Sequence, residues 1–452
     1  MMVRLVLILI MTVFMCCPVH NVRAMVIESN ELVWTSAMIA NAVYGGDLNL
    51  LTRQWLTGRG WQVLSEHVDN SAAEGRLYLF NVQPTAADNV YFLAFPGTET
   101  MKDARLDLRI TRVPFAGSTP AEFARAAADL ENKSGANPLV HQGFNDYVQT
   151  ALFSQVMPDT GMTFGEYIAA ELKKDPSRKL YITGHSLGGA AATLAAARLS
   201  DLGVAPEQLE VITFGAPAVG NESFARHYEH NFQLTRVTMA GDPVNKVLQS
   251  LTGGFVQFGQ RVEWRSKLSE RFPHGMAVYL DEAYRHYVDA GREDDKSILA
   301  GAPRVELSVP VYVPQPEFKL SGDIKRDRKY MEQVVGDLLS ITCSPQVKGT
   351  QDKEFGKVLA KARAAGCSHV LLEKFTGKRI RDEQYNFRMT LEEEIYDVDG
   401  NLLHMQSQST TTRDLTPLEA VGYLYVKGAE DRQRILAGDK KTNTEQNKDS
   451  EK

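Results

Sequence analysis

The chain has 452 residues, is 43% apolar, 23% charged and 9% aromatic, and carries a formal net charge of −6. That length holds two or three domains at about 100–200 residues each. The composition excludes global disorder and collagen-like or coiled-coil architectures. The acidic balance, with no basic run and no zinc-finger spacing, excludes a general attraction to nucleic acid.

Residues 1–24 have the pattern of a secretory signal. Arg4 supplies the positive start, Leu5 to Cys17 form a 13-residue apolar run, Pro18 breaks it, and Val22-Arg23-Ala24 ends on a small residue suited to cleavage. The alternative is an uncleaved membrane anchor, against which the run falls short of the roughly 18 apolar residues a spanning helix needs. Bulky Phe14 and Met15 before Cys16 argue against lipidation. The expected location is secreted, periplasmic or cell-envelope. Without Arg4 and Arg23 the mature chain carries 48 basic and 56 acidic residues, a net charge of −8. Only Cys343 and Cys367 remain, either as a disulfide in an oxidising compartment or as two free buried thiols.

Residues 25–300 alternate helical and strand patterns. A helix is expected over Ala37 to Tyr44, ending at Gly45-Gly46, and strands over Leu77 to Val82 and Val90 to Phe95, the second closed by Pro96-Gly97-Thr98. Thr163 to Lys174 reads as a helix, with Thr163 and Glu166 at capping-box spacing and Phe164, Ile168 and Leu172 on one face. Leu180 to Thr183 is a short buried strand and Leu187 to Leu199 an alanine-rich helix. Glu210 to Phe214 and Leu234 to Met239 complete the strands. Strands alternating with helices predict a mostly parallel sheet covered on both faces.

Composition shifts near residue 300, and residues 301–438 are expected to form a separate α+β domain. Tyr385, Phe387, Met389 and Leu391 alternate with polar residues as on a half-buried strand. Asp399-Gly400 marks a turn into a strand over Leu402 to Thr410, and Thr416-Pro417-Leu418-Glu419 opens a helix. Cys343, Cys367, His369 and His404 lack metal-like spacing, so this domain is expected to be structural or to bind a partner, for example an envelope component. The tail 439–452 has no apolar residue and is expected to be disordered.

The most informative stretch is Gly184-His185-Ser186-Leu187-Gly188, a G-x-S-x-G pattern set directly between an apolar strand and a helix. A serine hydroxyl is a poor nucleophile unless it is exposed, oriented and paired with a base. A tight strand-to-helix turn supplies the exposure, and Gly184 and Gly188 remove side chains that would crowd it. The helix N-terminus aims N–H groups at developing negative charge. In this pattern an acid and then a histidine follow along the chain. Asp242 lies 56 residues on, after the strand ending at Met239, and His274 a further 32, between Pro273 and Gly275. His286, in a helical stretch, is the rival base, and a surface position suits it better. His185 is too close to Ser186 to present its ring to the hydroxyl and is expected to pack beside the turn.

At these residues the chain resembles the class 3 lipases, the fungal triacylglycerol lipase-like α/β-hydrolases, over roughly residues 32–300. The elbow reads GHSLGGA. Phe95-Pro96-Gly97-Thr98 is similar to the F-R-G-T/S block, followed by Asp103 and Asp107-Leu108. Val140-His141-Gln142-Gly143-Phe144 is similar to V-H-x-G-F. Thr213-Phe214-Gly215-Ala216-Pro217 with Val219-Gly220-Asn221 resembles F-G-x-P-R-V-G-N. Gly241-Asp242-Pro243-Val244 resembles the acid loop, and His274-Gly275-Met276 with Tyr279-Leu280 resembles H-x-M-x-x-Y.

The resemblance implies an α/β-hydrolase fold and a Ser186–His274–Asp242 triad. It also implies an oxyanion hole formed by the backbone N–H groups of Thr98 and Leu187, each donor worth about 10²–10³ in rate. Two departures stand near the mouth of the site: Pro96 replaces the block's arginine, and Ala104 replaces an aromatic. Leu108 to Val140 looks like the family's lid. Ala121 to Leu130 reads as a short helix whose apolar face is mostly alanine beside Phe123 and Leu130. At about 0.8 kcal/mol per methylene, so small a face implies weak activation at a lipid interface.

The expected function is serine-dependent hydrolysis of lipid or glyceride esters through an acyl-enzyme, with no metal or organic cofactor and with transient contact to a membrane or micelle surface. Activity is expected to fall at acid pH as the imidazole takes a proton. Phospholipid or other ester hydrolysis at the same site is the alternative, and a non-catalytic envelope-binding protein is the competitor from a different class.

Overall fold

The computed structural model describes residues 29–45, 56–57, 61–82, 90–98, 111–129, 131, 134–244, 254–266, 274–291, 306–350, 352, 354–381, 385–413 and 415–438. The expected signal at 1–24, Asp103, Ala104, Asp107, Leu130, Pro273 and the tail 439–452 lie outside the described residues. The chain divides into two compact units, 1–300 and 301–452. Among the described residues no helix is long and apolar enough to cross a membrane.

In the first unit, α1 (Ser29–Ala42) is followed by β1 (Gln62–Asp69), β2 (Glu74–Val82), β3 (Val90–Phe95), β4 (Arg112–Pro114), α2 (Pro120–Ala128), β5 (Leu139–His141), α3 (Gln142–Phe153) and α4 (Phe164–Lys174). Then come β6 (Leu180–His185), α5 (Leu187–Asp201), β7 (Leu209–Phe214), β8 (Gly220–Asn221), α6 (Glu222–Tyr228), β9 (Gln233–Met239), β10 (Phe255–Val256), β11 (Gln260–Trp264) and α7 (Met276–Asp289). Seven strands form one sheet in the order β1-β2-β3-β6-β7-β9-β11. β1, β2 and β3 pair antiparallel, and from β3 to β11 every pairing is parallel. This is the mostly parallel central sheet of an α/β-hydrolase. A small second sheet runs β10-β8-β5-β4.

The central strands are apolar throughout because helices cover both faces. All six residues of β3 are buried. Phe92 and Ala94 join a core shared with Ile39 and Ala40 of α1 and Val278 and Tyr279 of α7. Tyr91, Leu93 and Phe95 point the other way, into a core built with α3, α4 and α5. α5 is buried along most of its length, and its small residues bring it close to the sheet. A Cβ on Gly188 would lie 2.1 Å from the Phe95 carbonyl oxygen, and one on Gly189 would lie 2.7 Å from the Ala216 Cβ.

The register fixes where the functional loops emerge. Phe95 pairs with Gly184, His185 with Phe214, Phe214 with Val237, and Met239 with Trp264. The turns after β3, β6, β7 and β9 therefore open at one carboxyl edge, the usual place for a site in a parallel sheet.

The expected capping box on α4 is present, with Thr163 accepting from the Glu166 N–H and Glu166 accepting from the Thr163 N–H. The helix in the lid-like segment is also present as α2. Its Phe123 is fully buried, edge-on to Phe153 at a centroid distance of 5.4 Å. The Arg198 guanidinium lies 4.1 Å from the Phe123 ring and 3.3 Å from that of Phe115. The one large apolar side chain of α2 is thus turned into the core.

The second unit contains β12 (Glu306–Pro314), β13 (Glu317–Leu320), α8 (Arg328–Thr342), β14 (Ser344–Gly349), α9 (Phe355–Ala364), β15 (His369–Arg379), β16 (Phe387–Asp397), β17 (Leu402–Thr411), α10 (Pro417–Lys427) and α11 (Ala429–Leu436). The sheet order is β14-β12-β15-β16-β17, with β13 also on β15. α10 packs on α8, β16 and β17, and α9 packs on β12 and β15.

Phe387, Met389 and Leu391 are buried as their alternation implies. Tyr385 is a correction: it precedes β16 with φ at 58° and is 36% exposed, because left-handed backbone there turns it off the strand. The Asp399-Gly400 turn and the Thr416/Glu419 capping box are as expected. Cys343 and Cys367 are both buried free thiols.

Candidate active site

Ser186 sits between β6 and α5 with φ 57° and ψ −124°. That region is strained for a residue with a Cβ, at a cost on the order of 1–3 kcal/mol. It is held there from both sides: its N–H donates to the Phe214 carbonyl at 3.0 Å, and its own carbonyl accepts from Gly189 and Ala190 at 3.0 and 3.1 Å. A Cβ on Gly184 would stand 2.3 Å from the Gly188 backbone, so the elbow closes only over glycine.

Asp242 follows β9. Its N–H donates to the Met239 carbonyl at 3.0 Å, and its Oδ1 accepts from the Val244 N–H at 2.9 Å. Its side chain is fully buried. His274 stands just before α7, whose N-cap is Gly275, and its side chain is 26% exposed.

These three residues, from three separate turns, meet. His274 Nε2 lies 2.8 Å from Ser186 Oγ. His274 Nδ1 lies 2.8 Å from Asp242 Oδ2 and 3.0 Å from Oδ1. A carboxylate only accepts hydrogen bonds, so Nδ1 carries the proton and Nε2 presents its lone pair to the serine hydroxyl. The arrangement can take a proton from Ser186 and hold the resulting imidazolium against a buried anion.

Thr98 and Leu187 flank this centre. Leu187 opens α5 and is buried, and Thr98 is exposed in the turn after β3. The two turns touch: the Gly188 Cα faces the Phe95 and Pro96 backbone, and a Cβ on Gly97 would lie 2.8 Å from the His185 carbonyl oxygen. His286 stands apart from the site, exposed on α7 with its ring stacked on Trp264 at 5.0 Å. His185 packs beside the elbow and is buried.

Three contributors were not assigned from sequence. Tyr279 donates its hydroxyl to Asp242 Oδ2 at 2.5 Å and accepts from the Met239 N–H at 3.0 Å. Gly215, with φ +56°, forms the floor: a Cβ there would lie 2.8 Å from Asp242 Oδ2, 2.9 Å from the Tyr279 hydroxyl and 3.1 Å from His274 Cε1. The Tyr44 hydroxyl meets His185 Nδ1 at 2.6 Å. Tyr279 and Gly215 did stand inside motif blocks, but nothing in a motif says what a side chain touches.

Residues 92–251 match the family described as Lipase (class 3), which bears out the resemblance drawn from the sequence. Among curated proteins, secreted mono- and diacylglycerol lipase 2 of Gibberella zeae is 31% identical over 175 residues, covering 35% of this chain and 40% of that protein. Phospholipase A(1) DAD1 of Arabidopsis thaliana is 31% identical over 160 residues, covering 34% of this chain and 33% of that protein. The chain spans well under two thirds of the length of either. Among solved structures, lipase II from Rhizopus niveus aligns at 23% identity with a TM-score of 0.37, covering 53% of this chain and 83% of that one.

Proposed function

We propose that this chain, with its likeness to the class 3 lipases, is a serine hydrolase that cleaves carboxylic esters of lipids or glycerides. The observation that carries the reading is the continuous hydrogen-bonded line from Ser186 through His274 to Asp242. His274 Nε2 takes the hydroxyl proton as Ser186 Oγ attacks the ester carbonyl. The oxyanion that forms is held by the N–H groups of Thr98 and Leu187. His274 then gives its proton to the leaving alcohol, and an acyl-enzyme remains. Water, deprotonated by the same ring, attacks the acyl carbonyl; the bond from that carbon to Ser186 Oγ then breaks, Oγ takes the proton back from His274, and the acid is released. Asp242 holds the tautomer and balances the imidazolium in both halves.

The secreted glyceride lipase among the relatives supports both the substrate class and an extracytoplasmic location. The relative named as a phospholipase A(1) favours a second reading, acyl release from phospholipid at the same serine. Hydrolysis of p-nitrophenyl esters, mono-, di- and triglycerides and phosphatidylcholine, by the wild type and by Ser186→Ala, separates the readings. Glyceride turnover that disappears in the variant supports the first, and release confined to phospholipid supports the second. Turnover undiminished in Ser186→Ala contradicts both.

A further inference from the structure

Asp242 and Ser186 engage the two nitrogens of His274. A second histidine covers a face of its ring. The His185 and His274 centroids lie 4.6 Å apart, with the planes inclined by 34°. His185 is only 5% exposed. Its Nδ1 lies 2.6 Å from the Tyr44 hydroxyl, just beyond the end of α1. Its Nε2 makes no hydrogen bond of good geometry among the described residues.

The phenol also reaches the opposite side of the site. A Cβ on Gly97 would lie 2.0 Å from the Tyr44 hydroxyl oxygen, so that oxygen occupies the space a side chain at 97 would need. One hydroxyl is therefore wedged between the turn that carries Thr98 and the ring that backs His274.

Burial, and then the charge His274 carries when protonated, hold His185 well below the ordinary histidine range. A ring kept neutral bears one N–H. The close contact of the Tyr44 hydroxyl with Nδ1 ties the choice of which nitrogen bears it to that one partner. When His274 becomes an imidazolium it then faces a neutral aromatic ring and not a second cation.

Resting on the reading of Ser186 as nucleophile, we propose that Tyr44 and His185 act as one positioning device. Tyr44 fixes the tautomer and tilt of His185, and His185 braces the His274 ring for its two proton transfers. Neither touches the reacting atoms. If the pair only filled space, replacing the hydroxyl alone would leave the chemistry unchanged.

The test uses the full chain carrying Tyr44→Phe, His185→Phe, or both. Three quantities are read: kcat and KM on a soluble p-nitrophenyl ester, the downfield proton resonance of the His274–Asp242 hydrogen bond recorded without substrate, and thermal unfolding. Each single variant is expected to lose about tenfold in kcat, the effect of one buried hydrogen bond, with KM held. The double variant is expected to lose no more than the worse single, as groups acting as a unit do. The downfield resonance is expected to shift or broaden in all three.

A kcat close to that of the wild type in Tyr44→Phe overturns the proposal, as does a lost kcat with an unmoved resonance. Losses that multiply in the double variant also overturn it. Tyr44→Phe removes a single oxygen, so it decides the question even if His185→Phe does not fold. If the wild type hydrolyses no ester but the resonance still responds, the functional reading fails and the positioning pair stands.

Discussion

Tyr279 donates its hydroxyl to Asp242 at 2.5 Å while accepting the Met239 N–H at 3.0 Å, so the buried carboxylate is tied to the end of the strand that delivers it. Tyr279→Phe keeps the ring and removes both bonds. A hydrogen bond to a charged group is worth about 1.5–3 kcal/mol, so kcat/KM is expected to fall at least about tenfold. Steady-state kinetics on a soluble ester check this, and the fall should appear in kcat.

Gly215→Ala tests the floor of the site. The new methyl would lie 2.8 Å from Asp242 Oδ2 and 3.1 Å from His274 Cε1, on backbone with φ +56° that disfavours any Cβ. Asp242 and His274 must shift, and a misplacement of about 1 Å costs on the order of 10² in rate. The expected result is a loss in kcat of about that size. Folded protein should still be recovered, as judged by circular dichroism.

Much of this site is written in consecutive residues, and the rest is not. The elbow is local: five residues between a strand and a helix carry its geometry. Chain order and the loops that bear them make Asp242 and His274 candidates, and the resemblance to the class 3 lipase blocks selects them over rivals such as His286. Tyr44 reaches His185 across 141 residues, and no local pattern encodes such a contact. β1 carries no alternating signal in the sequence because its buried residues, Leu64 and Val68, are four apart, a helical spacing on an edge strand that carries Glu66, His67 and Asp69. In the second unit, Glu373 and Glu393 occupy inward positions where an alternating pattern calls for apolar residues.

Those two glutamates pair directly across β15 and β16. Glu393 is bonded by the buried Arg432 and accepts from Gln406 at 2.5 Å. Burial, then the neighbouring Glu393 carboxylate, push Glu373 up to about 8, against the pull of Arg432. Its folded-state value lies above its unfolded one, so the folded state binds the proton more tightly. Stability is therefore lost as pH rises from the ordinary glutamate range toward 8. Glu373→Gln removes the ionisation, and is expected to flatten that slope and raise the melting temperature at pH 8 by about 4 °C, roughly 1 kcal/mol for a domain of this size. Thermal unfolding across that pH range checks it.

Arg198 has no exposed side-chain surface, stacks on Phe115 and Phe123, and bonds Asp201 and the Ala116 carbonyl at 3.2 Å each. Asp201 also accepts from the Tyr228 hydroxyl at 2.9 Å. Arg198→Ala leaves the partly buried Asp201 carboxylate without its cation and opens the seat of Phe123. Breaking a buried pair from one side costs about 3–5 kcal/mol. Denaturant unfolding is expected to report a loss of that order.

The central claim is that the hydroxyl at 186 is a nucleophile made reactive by the ring at 274. Labelling with a fluorophosphonate, followed by mass-spectrometric mapping of the adduct, tests it without any choice of substrate. The account predicts a single adduct on Ser186, absent in Ser186→Ala and slowed by orders of magnitude in His274→Ala. An adduct on another serine, or equal labelling of the folded His274→Ala variant, would contradict it.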